Sequence, residues 1–144
     1  MELFGFGPHL MVDGYDADPA RLRDAELVRR VLDELPEEMA MTKVLPPFVY
    51  RYGPEGEDGV TGVVIIAESH IAIHTFPKKR FLSIDIFSCK AFDMAHVLRK
   101  LTEVFQIGRY ETYMIHRGKE FPKDPELARQ IVLGEREYLQ ARVG

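Results

Sequence analysis

The chain has 144 residues and a mass of 16.6 kDa, enough for one hydrophobic core and too short for two ordinary domains. A formal net charge of −4 and an isoelectric point near 5.7 argue against nucleic acid as the main partner. With no apolar run of about 18 residues and no basic-then-apolar leader at Met1, no membrane association is expected, and the protein reads as cytoplasmic. The single cysteine, Cys89, can form no internal disulfide and is too few for a thiolate zinc cage.

In chain order, FGFGPHLMVDGY (4–15) ends in turn chemistry and predicts a first strand near 9–13. In 18–36, Asp18 suits an N-cap and Pro19 the first helical position, while Leu22, Ala25, Val28, Leu32 and Leu35 track one face, predicting one helix. FVYRY, the turn-rich acidic GPEGEDG and VTGVVIIA read as a hairpin. A strand over 70–76 follows, joined through PKKR to another over 81–89, where Leu82, Ile84 and Ile86 alternate with Ser83, Asp85 and Phe87. Asp93 can cap a second helix whose Met94, Val97, Leu98, Leu101, Val104 and Phe105 form an i, i+3, i+4 stripe ending before Gly108. RYETYMIH (109–116) predicts a last strand, and Asp124–Pro125 opens a C-terminal helical segment. The sum is one α+β domain over 1–144, an antiparallel sheet with two helices on one face. The other face would carry Ser83, Asp85, Phe87 and Cys89 beside His70, Ala72 and His74, a polar and apolar mixture that suggests a partner or a site.

The densest chemistry lies in AESHIAIHTF (67–76). His70 and His74 have the four-residue spacing of two ligands on a helix, but the run is β-like and no zinc-helix glutamate sits between them, so no metal is expected. Ser69 lacks the glycine-flanked elbow of a serine hydrolase. On residues alone, a hairpin whose hydroxyls and imidazoles satisfy each other fits as well as a site.

Taken together, GVTGVVIIAESHIAIHTFP and SIDIFSC, with a histidine five and a cysteine twenty residues after Ser69, resemble the prokaryotic S-adenosylmethionine decarboxylases, the pyruvoyl-dependent carboxy-lyases of spermidine and other polyamine biosynthesis. The likeness runs from GPHLMVDGYDAD to about IHRG (115–118). It implies a zymogen that cleaves itself at Glu68–Ser69 into chains 1–68 and 69–144. The Ser69 hydroxyl attacks the Glu68 carbonyl to give an ester. Loss of the Ser69 α-proton then expels the Glu68 carboxylate, and the resulting dehydroalanine hydrolyses with loss of ammonia to a covalently attached pyruvoyl group. Its ketone forms a Schiff base with the substrate amine and accepts the electrons released with carbon dioxide. By the same resemblance His74 removes the α-proton, Thr61 supplies a processing hydroxyl where serine is usual, and Cys89 returns a proton to the substrate. It also implies a homodimer whose two sheets face one another, a four-layer αββα sandwich. Ser69 and His74 differ in strand parity, so Ser69 is expected at a bend or bulge at the strand entrance, where strain would assist cleavage.

The family's tryptophan, proline and glutamate after the second histidine are here Phe76, Pro77 and Lys78. An ammonium cannot replace the carboxylate that accepts ribose hydroxyls. Tyr52 remains available as an aromatic plane for the substrate base. The departure opens an alternative in which the scaffold decarboxylates arginine or ornithine, with Asp13 or Asp85 meeting the distal cation. A further alternative is an uncleaved homologue acting as a partner, against which the retained Ser69, His74 and Cys89 argue. S-adenosylmethionine is the favoured substrate.

Overall fold

The structure is a computed structural model and describes residues 7–55 and 58–118. The C-terminal segment expected to be helical from Asp124 lies outside the described residues, as does part of the acidic loop.

Among the described residues, period-two sequence builds six strands: β1 (Pro8–Tyr15), β2 (Phe48–Tyr52), β3 (Gly59–Ile66), β4 (Ser69–Phe76), β5 (Phe81–Phe87) and β6 (Arg109–His116). Every pairing is antiparallel and the spatial order is β2-β3-β4-β5-β1-β6. Hairpins supply β2-β3, β3-β4 and β4-β5, while β1 inserts between β5 and β6 and so sets the chain's start against the strand that carries Asp85 and Phe87.

The helix expected over 18–36 is two helices, α1 (Pro19–Leu22) and α2 (Ala25–Glu38). Asp18 caps the first as expected, but Asp24 accepts a hydrogen bond from the Leu27 amide at 3.0 Å and opens the second. An aspartate in mid-pattern thus serves the backbone better as a cap than as an interior residue, and the break leaves both Leu22 and Val28 buried. A third helix, α3 (Met94–Phe105), begins at its Asp93 cap as the sequence indicates.

The three helices among the described residues cover one face of the sheet. Leu10, Val12, Ile71, Ile73, Leu82, Ile84 and Ile86 meet Leu32, Leu35, Leu101 and Phe105 there in one cluster. The helix α2 lies directly on β3 at Gly62, where an added Cβ would come within 2.6 Å of Leu32. The Thr75 hydroxyl, wholly buried, donates to the Leu22 carbonyl at 2.7 Å and accepts from the Val60 amide at 2.8 Å, tying α1, β3 and β4 together. No helix among the described residues is long and apolar enough to cross a membrane.

The opposite face has no covering layer among the described residues. Register aligns Tyr50, Thr61, His74, Ser83, Asp13 and Glu111 in one row across the strands. The adjacent row is Phe48, Val63, Ala72, Asp85, Met11 and Tyr113. The expected open face therefore stands, with one correction: β5 ends at Phe87, and Cys89 belongs to the core cluster instead of facing out from a strand.

Candidate active site

Strand β4 begins where the sequence's serine stands. Ile66 pairs with Ser69, leaving Ala67 and Glu68 as the two-residue tip of the β3-β4 hairpin. Glu68 has φ 62°, the left-handed region in which a glycine is at ease and a glutamate is strained by about 1–2 kcal/mol. The bend or bulge expected at the strand entrance takes the form of a tight turn, and its strained residue contributes the carbonyl of the Glu68–Ser69 bond. Ser69 shares the parity of Ile71 and Ile73, so its side chain points to the helical face. It is 8 % exposed, and its hydroxyl is a buried group without a hydrogen-bond partner among the described residues. An orphaned hydroxyl costs stability, because it has lost water and gained nothing.

Cys89 comes to the same turn from the other side. It is 3 % exposed, and its thiol donates to the Ala67 carbonyl at 3.4 Å. The Ala67 amide in turn donates to the Thr42 carbonyl at 2.8 Å, which anchors the turn to the segment after α2. Ser69, Glu68 and Cys89 thus form one group.

His74 and Thr61 form a second group. They are cross-strand partners on the open face, with Thr61 Oγ1 and His74 Nδ1 3.2 Å apart. Five residues at roughly 3.3 Å each put Ser69 and His74 about 17 Å apart along β4, on opposite faces. Within one chain the imidazole does not reach the serine.

The four candidate substrate residues also divide. Tyr52 and Lys78 line one cavity of about 240 Å³ with Phe76, Pro77 and Lys79, at the end of the sheet where β4 finishes and close in sequence to His74. The PKKR segment is a tight helical turn, Pro77–Lys79, followed by Arg80 at φ 52°. Its Arg80 carbonyl accepts from the Ala17 amide at 3.0 Å, so the turn is docked near the start of α1. Asp13 shares the row of His74 two strands away, and Asp85 lies in the next row; neither lines that cavity.

Sequence reasoning passed over His9. On the open face it packs against Phe87 and His70, with ring centroids 5.7 and 6.3 Å away, and its Nε2 lies 3.9 Å from Asp85 Oδ1. The guanidinium of Arg117 caps the Phe87 ring at 4.4 Å. Burial holds the His9 imidazole below its ordinary value. Asp85 opposes that shift, and Arg117 and His70 reinforce it. The register places His9 opposite Phe87, but only a strand order inserting β1 beside β5 makes them neighbours. No group of three or more metal-ligating side chains occurs among the described residues.

Residues 8–118 match the family model for S-adenosylmethionine decarboxylase. Among curated proteins, the S-adenosylmethionine decarboxylase proenzyme of Archaeoglobus fulgidus is 34% identical over 114 residues, covering 78% of this chain and 97% of its own. The proenzyme of the same name from Pyrococcus abyssi is 31% identical over 139 residues, 96% of each chain. The crystal structure of the adenosylmethionine decarboxylase from Aquifex aeolicus VF5 superposes with a TM-score of 0.65 at 27% identity, covering 78% of this chain and 91% of that one. With the family model spanning most of the sequence and relatives alike over nearly their whole length, the chain belongs to the S-adenosylmethionine decarboxylase family.

Proposed function

We propose that this protein is a proenzyme that cleaves itself at Glu68–Ser69 and then decarboxylates S-adenosylmethionine, a carboxy-lyase using a pyruvoyl group made from Ser69. The observation that carries this reading is the buried Ser69 hydroxyl, without a hydrogen-bond partner among the described residues, directly after the strained Glu68. Such a hydroxyl is poorly stabilised where it is, and attack on the neighbouring carbonyl relieves both the orphaned group and the left-handed glutamate. The residues fit the group: Ser69 heads a strand that holds the new chain end in the sheet, and Cys89 stands beside it as a proton source. When formed, the pyruvoyl ketone takes up the substrate amine and accepts the electron pair freed with carbon dioxide.

In this reading His74, with Thr61 orienting its Nδ1, removes the Ser69 α-proton during processing. Because His74 lies far from the serine of its own chain, that imidazole comes from a second copy packed against the open face. The exposed Phe48, Ile65, Tyr113 and Ile115 on that face support such packing, as apolar surface without cover favours association. Two such sheets face to face make a four-layer homodimer, each site joining the Ser69 and Cys89 group of one protomer to the His74, Tyr52 and Lys78 end of the other. The Tyr52 ring offers a plane for the base, and the Lys78 ammonium is a donor at the ribose end.

The test is intact mass spectrometry of the purified protein, followed by carbon dioxide release from S-adenosylmethionine, arginine and ornithine in parallel. Two chains divided after Glu68, with activity on the nucleoside, are expected. Activity on an amino acid alone would overturn the substrate, and an uncut, inactive chain would overturn the enzyme.

A further inference from the structure

A regular extension of β5 would point Cys89 outward with Phe87 and Asp85, away from the Ser69 turn. Three contacts of its neighbour prevent this. Ser88 is wholly buried; its hydroxyl donates to the Lys90 carbonyl and accepts from the Lys90 amide at 3.1 Å, with the Met41 sulfur at 3.3 Å an alternative acceptor for the same proton. One side chain thus bridges both backbone groups of the residue two positions on and bends the chain around Cys89. The bend is held from both sides. The Ser88 amide donates to the Pro8 carbonyl at 3.0 Å, and the Lys90 ammonium donates to the Ala40 carbonyl in the turn just after α2. Gly7 passes so close that an added Cβ would lie 2.3 Å from the Ser88 carbonyl oxygen and 3.1 Å from the Cys89 carbonyl carbon.

We propose that Ser88 is a positioning residue for the reaction: its hydroxyl turns the Cys89 thiol from the open face to the Ser69 turn. The role as positioner of a proton donor rests on the function proposed above, whereas the placement of the thiol does not. Threonine and valine at position 88 match in shape and differ in the hydroxyl, so they separate hydrogen bonding from packing. In the uncleavable Ser69→Ala background, alkylation of Cys89 by iodoacetamide, read by intact mass, reports thiol placement without any activity. Loss of a buried hydrogen-bonded bridge worth about 1.5 kcal/mol corresponds to about tenfold faster alkylation in Ser88→Val, with Ser88→Thr near the parent rate. In the self-cleaved enzyme, Ser88→Val is expected to lower kcat for S-adenosylmethionine by about the same factor with KM unchanged, and Ser88→Thr to restore it. Equal alkylation in the two variants, or an unaltered kcat in Ser88→Val, would overturn the assignment. If the added bulk unfolds both, Ser88→Ala carries the same alkylation test. Should the parent enzyme not act on S-adenosylmethionine, the alkylation result still decides where the hydroxyl holds the thiol.

Discussion

At the scale of single residues, Glu68 carries a clear cost: a φ of 62° in a side chain that rarely adopts it. Glycine at this place removes the strain. In the Ser69→Ala background, Glu68→Gly is therefore expected to raise stability by about 1 kcal/mol in urea unfolding. With Ser69 present, the same change should slow appearance of the two chains on a denaturing gel; unchanged kinetics would show that strain does not drive cleavage. His9 provides a second expectation. Its folded-state value lies below the ordinary 6.5 through burial, so the unfolded chain takes up the proton first as the solution is acidified. This contribution is fully present above the ordinary value and is lost as pH falls through the folded one. Urea midpoints of the wild type should fall more steeply than those of His9→Gln between neutrality and about pH 5, with Asp85, Arg117 and His70 the charged or titratable neighbours in common.

At the scale of elements, Thr75 adds a buried polar tie to the β3-β4 pair alongside the apolar rows around it. Thr75→Val keeps the shape but leaves the buried Val60 amide and Leu22 carbonyl without that partner, an expected loss of about 2 kcal/mol measurable by urea unfolding. A change within a few tenths would show that water or a shifted backbone satisfies both groups. Most elements were legible because their periods are clean: Leu82, Ile84 and Ile86 alternate over a strand, and Val97, Leu101 and Phe105 recur over a helix. The first helix was misread as continuous because its apolar stripe runs through Asp24. Periodicity records which face is buried but not where the backbone is recapped. Cys89 was misplaced for a related reason, since alternation was carried beyond Phe87 into a bend that a side-chain hydrogen bond creates.

At the scale of the whole molecule, the separation of the two residue groups leads to a mixing experiment. Ser69→Ala keeps His74 but has nothing to cleave, and His74→Ala keeps Ser69 but lacks the imidazole. Unfolded together and refolded, the pair is expected to yield cleavage of the His74→Ala chain that neither variant shows alone, because in the homodimer proposed above a mixed pair would contain one complete site. Absence of cleavage in the refolded mixture, with dimers present in sedimentation, would mean that each chain completes its own site.

The sequence by itself determined the α+β class, nearly every strand, the caps at Asp18 and Asp93, and the motif of Ser69, His74 and Cys89, because periodicity, capping chemistry and a fixed spacing are local properties of a chain. Only the tertiary structure decided which of those residues meet. The hairpin fixes Ser69 on the helical face and His74 on the open one, and the insertion of β1 beside β5 creates the cluster around His9. The Ser88 bend sends Cys89 inward to Ala67. Strand parity and strand order arise from pairing between distant segments, and that pairing is set by burying one face of the sheet against the helices.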